Sequence, residues 1–263
     1  REAQRRCLFQ GQLMLLLLDI GNTHTHLGLA GKKVVRQTEF PTKHWFDGKA
    51  AALIKSFCGK RPITGAALCS VVPKATAPAA RLLKSFGAPW VELNARNIQG
   101  VGIDYPKPAS IGPDRLANAI AARKHFGAPA VVVDFGTAVT FDVVNPAGNY
   151  VGGIIAPGLA AMTDYLHEKT ALLPKIEIRE TKSVIGKSTT EAMLIGAVHG
   201  YRGLIRELIH QLRGDLGVED LPVVATGGYA KLMARGLPMI NAVMPELTLE
   251  GLRILWEETF EKG

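Results

Sequence analysis

The stretch LLLLDIGNTHTHLGL, residues 15–29, decides how the rest of the chain is read. Four leucines run into Asp19, then Gly21-Asn22-Thr23 supplies turn chemistry, and a second strand-like run continues to Leu29. A short apolar run closed by a turn signal reads as a buried strand. Two such runs around a tight Gly-Asn turn read as a β-hairpin. Asp19 then stands at a strand end, with backbone N–H groups just beyond it. Such a nest of amides binds phosphate oxygens, and a carboxylate beside it can hold Mg²⁺. A plain hairpin turn accounts for the same residues equally well at this stage. A P-loop is excluded, because no G-x-x-x-x-G-K-[ST] occurs and a strand, not a helix, follows.

The same design recurs as AVVVDFGTAVTFDVV at residues 130–144, with Asp134, Gly136 and Thr137 in the corresponding setting. Each hairpin is followed by a turn and a third strand, at 34–40 and 150–156. Helical patterns follow at 45–57 in the first half, and at 159–169 and 189–212 in the second. Buried strands are predicted at 66–72 and 222–226, short helices at 76–86 and 230–235, and fifth strands at 90–93 and 239–243. Amphipathic helices close the halves at 113–126 and 249–262. The order β-β-β-α-β-α-β-α thus occurs twice, which is the signature of an internal duplication. It predicts an α/β protein of two ribonuclease H-like domains, residues 14–127 and 128–263, facing each other across a cleft lined by the two hairpins. That architecture resembles the acetate kinase, sugar kinase, heat-shock 70 and actin superfamily, and the fold alone does not choose among its activities.

The remaining numbers set bounds. At 263 residues the chain holds one large domain or two small ones. No apolar run approaches the ~18 residues of a membrane helix. Three cysteines, Cys7, Cys58 and Cys69, form no metal or redox spacing, which fits a reducing cytoplasm. The net charge of +8 is compatible with nucleic acid. However, aromatic residues are only 6% and no Lys/Arg run stands out, so small anionic substrates fit at least as well. The chain begins with Arg1, and Arg5-Arg6 before an apolar run imitates a signal peptide. The run at 13–18 is shorter than the ~7–15 residues of an h-region. Met14 is expected to be the natural start, with residues 1–13 a non-native or disordered extension.

Several residues invite chemistry. Gly112-Pro113-Asp114-Arg115 opens a helix: Pro113 suits the first helical position, and Asp114 lies where the helix dipole favours a negative charge. A stabilising first-turn Asp is one reading. The other is a base, because phosphoryl transfer needs an oriented alcohol and an acceptor for its proton, and Arg115 beside it can fork onto a carboxylate or phosphate. Asp134 either ends a strand or binds a cation near phosphates, and Thr137 is a turn residue or a phosphate contact. Gly227-Gly228 allows close approach of a ligand or forms a tight turn. Ser188-Thr189-Thr190-Glu191 is a capping-box pattern, from which Thr189 could still reach a cleft. Gly196, Gly200 and Gly203 suggest close packing of that helix on another element, which could be a second subunit. His24 and His26 alternate along a strand with no third metal ligand in view.

Together the motifs resemble the type III pantothenate kinase family, which includes proteins described as Bvg accessory factors. The resemblance spans residues 14–263 and rests on DIGNT at 19–23, GPDR at 112–115, DFGTA at 134–138, GGIIAPG at 152–158 and TGG at 226–228. It implies ATP-dependent phosphorylation of pantothenate to 4'-phosphopantothenate, the first step of coenzyme A biosynthesis. Asp19, Ile20, Gly21, Asn22, Thr23, His24, Thr25 and His26 would form the ATP phosphate loop, with Thr137 also on ATP. Asp114 would accept the proton of the pantothenate hydroxyl. Tyr105, Gly112, Pro113, Asp114, Arg115 and Thr189 would contact pantothenate. Asp134 would hold the monovalent cation, K⁺ or NH₄⁺, used besides Mg²⁺. The family also implies a homodimer with the pantothenate site completed at the subunit interface. Ser188 departs from the family, which often has Asn before the matched Thr. The competing readings are a non-enzymatic transcriptional accessory protein, weakened by the lack of a helix-turn-helix or zinc pattern, and a phosphatase of the same superfamily.

Overall fold

Strand β1 (Leu15–Ile20) owes its place at the centre of a sheet to its composition. Its four leucines are fully buried on both faces, as in strands covered from two sides. The structure, a computed structural model, describes residues 14–261, so the predicted N-terminal extension lies outside the described residues. β1 pairs antiparallel with β2 (His24–Ala30) and parallel with β4 (Gly65–Ser70). With β3 (Val34–Pro41) and β5 (Trp90–Glu92) the sheet runs β3-β2-β1-β4-β5. A two-residue strand, β6 (Gly102–Ile103), follows.

One face of this sheet packs Leu16, Leu18 and Ile20 against Ile54 and Phe57 of helix α1 (Ala50–Cys58) and Ala75, Ala79 and Leu82 of α2 (Pro73–Ser85). Helix α3 (Pro113–Phe126) is rich in buried alanines, and the described chain closes with α8 (Leu247–Phe260). The backbones of α3 and α8 approach so closely that a Cβ on Gly251 would lie 1.9 Å from the Ala117 carbonyl oxygen.

The second unit repeats the plan. β7 (Ala130–Phe135), β8 (Ala138–Val144), β9 (Asn149–Pro157), β10 (Val223–Thr226) and β11 (Ala242–Val243) run in the order β11-β10-β7-β8-β9. β7 has the burial pattern of β1 and the same neighbours, antiparallel to its hairpin partner and parallel to the strand after the crossover. Helices α4 (Leu159–Lys169), α5 (Thr189–Ile195), α6 (Tyr201–Leu216) and α7 (Ala230–Ala234) complete the unit. Its core joins Val131, Val133 and Phe135 to Val198, Tyr201, Ile205 and Ile209.

Three sequence expectations differ from what is observed. The helix expected at 45–57 is split into a 3₁₀ turn, Thr42–Trp45, and α1, because Gly48 takes φ 79° between them. The long helix expected at 189–212 is interrupted by a π turn at Gly196–Gly200, and α6 then continues to Leu216. The compact units also part differently from the sequence halves. They divide after Lys124, and the chain from Glu246 onward belongs with the first unit. There Trp256 stacks on Gly65 of β4 and donates its indole N–H to the Pro89 carbonyl at 3.4 Å. The apolar face of a closing helix goes where a matching surface exists, which chain order does not encode.

Candidate active site

Asp19 is the last residue but one of β1, where the register sets it opposite His26 on β2 and Cys69 on β4. It is the one position of β1 that is half-buried rather than buried. The Cys69 thiol donates to Asp19 Oδ1 at 3.2 Å. Burial drives the Asp19 carboxyl up to about 7, the negative field of Asp114 adds to this, and the Cys69 hydrogen bond works against it. Cys69 is held far above the usual thiol range by its own burial and by the two carboxylates, so it remains a donor.

Asp114 belongs to the same unit, in the first turn of α3. Pro113 starts the helix, and the Arg115 N–H donates to Asp114 Oδ1 at 2.9 Å. The carboxylate folds back over Gly112, where any Cβ would lie 2.4 Å from Oδ1. A side chain at 112 would therefore displace the Asp114 carboxylate from this position. Burial raises the Asp114 pKa, while the Arg115 amide and guanidinium pull it down. Asp19 thus stands in the field of Asp114, and burial leaves both carboxyls short of solvent. A carboxylate whose proton affinity is raised by burial is better suited to accept a proton. An oxygen pair of this kind is also relieved by a hard cation, and Mg²⁺ commonly binds one or two carboxylates together with substrate phosphates. No group of three or more His, Cys, Asp or Glu suited to a metal occurs among the described residues. His26 instead contacts Glu39 at 3.2 Å. Burial lowers its pKa, and Glu39 works the other way.

The hairpin tip is compact. Gly21 N–H donates to the His24 carbonyl at 3.0 Å, and Asn22 and Thr23 are exposed. Ile20 and Thr25 point into the core, His24 is exposed and Tyr105 lies at the surface of the same unit.

The second unit holds Asp134, Thr137 and Thr189. Asp134 pairs in register with Thr226 of β10 and Thr140 of β8. Gly227, at φ 88°, turns the chain so that a Cβ would fall 2.5 Å from Asp134 Oδ1 and 2.7 Å from the Phe135 carbonyl oxygen. Its freedom serves a tight turn, whereas Gly228 faces open space. Gly158, at the start of α4, leaves only 2.2 Å for a Cβ against the Thr137 carbonyl and 2.6 Å against that of Gly136. The Asp134 carboxylate and the Phe135 carbonyl thus crowd Gly227, and the Gly136 and Thr137 carbonyls crowd Gly158; oxygen ligands of this kind are what a hard cation takes. Ser188 caps the helix as expected, its Oγ accepting from the Glu191 N–H at 3.2 Å, but the Glu191 carboxylate accepts from the Lys187 N–H at 2.7 Å, one residue before the one a capping box uses. Thr189, at the first position of α5, is exposed. Sequence reasoning missed Cys69 and Thr42, which are far from the hairpin in the chain and are brought to it by β4 and by the end of β3.

Comparison with known proteins decides among the activities this fold supports. Residues 15–211 match the family described as type III pantothenate kinase. A type III pantothenate kinase of Akkermansia muciniphila is 48% identical over 241 residues, covering 91% of this chain and 96% of that protein. The chain belongs to the type III pantothenate kinase family. Among solved structures, a chain described as a Baf family transcriptional activator from Campylobacter jejuni is similar at TM-score 0.63 and 17% identity, covering 93% of this chain and 98% of that one. MreB 5 of Spiroplasma citri bound to AMPPNP is similar at TM-score 0.50 and 12% identity, covering 96% and 98%. At such identities the likeness speaks for the fold alone. It is that of two ribonuclease H-like domains, as the duplicated hairpins predict.

Proposed function

We propose that this protein transfers the γ-phosphoryl group of ATP to the primary hydroxyl of pantothenate, giving 4'-phosphopantothenate and ADP, the first step of coenzyme A biosynthesis. The observation that carries this reading is the Asp19–Asp114 pair, two desolvated carboxyls beside a compact hairpin, in a chain of this family. The pantothenate hydroxyl oxygen forms the new O–P bond, the bond from γ-phosphorus to the bridging oxygen breaks, and ADP leaves. Asp114 takes the hydroxyl proton, and its bond from the Arg115 amide holds the carboxylate in place. Residues 19–26 line the ATP phosphates, with Asp19 on the Mg²⁺ that neutralises them, and Thr137 also contacts ATP. Tyr105, Gly112, Pro113, Arg115 and Thr189 bind pantothenate. Asp134 holds K⁺ or NH₄⁺, a reading supported by its carboxylate oxygen lying against the Gly227 turn beside the Phe135 carbonyl. The reaction belongs in the cytoplasm.

A coupled ADP-release assay tests the reading. Release is expected only with pantothenate, Mg²⁺ and a monovalent cation all present. ADP or phosphate formed equally without pantothenate would point to a phosphatase instead. Asp134→Ala is expected to abolish the response to potassium, and an undiminished response would place the cation elsewhere.

The protein works as a homodimer on this reading. Met162, Tyr165 and Leu166 line an exposed helical face of α4, and Ile155, Leu172, Val184 and Ile185 are exposed in the same unit. Apolar groups exposed along one helix face, as at 162, 165 and 166, are the kind that mark interaction surfaces. Light scattering is expected to give twice the 28.2 kDa chain mass, falling to one chain for Tyr165→Glu. A monomeric wild-type protein would overturn the dimer.

A further inference from the structure

Thr42 lies outside every motif of the family resemblance, yet two of its groups bind the hairpin tip. Its N–H donates to the Thr23 carbonyl at 2.9 Å, and its hydroxyl donates to the Gly21 carbonyl at 2.7 Å. These carbonyls flank the tip residue Asn22. The Thr42 hydroxyl is also 3.2 Å from that of Thr25, which accepts from the Trp45 indole N–H at 3.0 Å. All three side chains are buried. The proton directions follow from the inventory of donors. Indole nitrogen only donates, and the single hydroxyl proton of Thr42 is committed to Gly21, so Thr25 must donate to Thr42. The result is a one-way chain from Trp45 through Thr25 and Thr42 to the Gly21 carbonyl. Hydrogen bonds in such a chain polarise one another.

A trans peptide is planar, with its C=O and N–H pointing in opposite directions. Holding the Gly21 and Thr23 carbonyls towards Thr42 therefore turns the Asn22 and His24 N–H groups away from it. We infer that Thr42 is a positioning residue, which sets the peptide planes of the hairpin so that its amides face the nucleotide phosphates. The inference rests on reading residues 19–26 as the ATP phosphate loop.

Thr42→Val keeps the shape and the backbone N–H but ends the hydroxyl chain. Its KM for ATP is expected to rise about tenfold, with the KM for pantothenate within about twofold of wild type. Thr42→Ser is expected to restore the wild-type value. A merely structural residue would instead move both KM values and the thermal midpoint together, and serine would not rescue the one selectively. Gly21→Val serves as the direct probe of the tip, because its side chain would meet the His24 carbonyl oxygen at 3.0 Å. If Gly21→Val leaves the KM for ATP unchanged, the hairpin is not the phosphate loop and the parent reading fails. If Gly21→Val raises it and Thr42→Val does not, the positioning role is wrong. Should Thr42→Val not fold, Trp45→Phe removes the first donor of the chain while keeping an aromatic ring. It is expected to raise the KM for ATP about threefold, and no change there would also overturn the role.

Discussion

Asp114→Asn is expected to lower kcat by about 10²–10⁴-fold, the range that a positioned general base contributes. ATP affinity should stay within about threefold, because the change removes a proton acceptor and leaves the hairpin intact. Asparagine is nearly isosteric, and its carbonyl oxygen can still accept the Arg115 N–H that aspartate accepts at 2.9 Å, so the start of α3 is preserved. Stability should not fall either. The folded protein raises the pKa of this carboxyl chiefly by burying it, so a neutral side chain is favoured there. Lost turnover at an equal or higher thermal midpoint separates a missing base from a damaged fold. The measurement is steady-state kinetics for both substrates beside a thermal melt. Near-normal kcat in a folded variant would remove Asp114 from the proton transfer.

Much of this was legible in the chain because its signals are local. The leucines of β1, Asp19 and the Gly21 turn lie within a few residues of one another, and their echo at β7 made the duplication visible. Pro113 and Asp114 announce a helix start in the same way. The structure departs from the sequence pattern where the signal is not local. Trp45 and Phe57 share a helical pattern, but Gly48 at positive φ divides it. Gly196 and Gly200 read as packing glycines, and they bound a π turn. Cys69 sits in an apolar run with nothing to distinguish it until β4 pairs with β1 and sets it opposite Asp19. Thr42 is likewise an ordinary threonine until β3 brings it to the hairpin. Function in this fold sits where strands end, and strand register is what a single sequence hides.

Asp19→Asn should stabilise the protein increasingly as pH rises, while removing activity. The folded state holds the Asp19 carboxyl at about 7 against an ordinary 3.8. Well below the ordinary value of 3.8 the group is protonated in both folded and unfolded chains and contributes nothing. Between the two values the folded chain keeps a proton that the unfolded chain has released, so each step up in pH favours unfolding. Above 7 the full deficit remains, on the order of 3 kcal/mol for a half-buried group with this displacement. Asparagine carries no such deficit, so its advantage in urea unfolding should grow by about 1–2 kcal/mol between pH 5.5 and pH 8. Two controls locate the cause. Asp114→Asn should shrink that growth, because the Asp114 charge is part of what lifts Asp19. Mg²⁺ with ATP should stabilise wild type at pH 8 more than Asp19→Asn, because a bound cation offsets the carboxylate's desolvation. A stability difference that is flat with pH would mean that Asp19 titrates normally. The site would then hold no strained carboxylate for the cation to relieve.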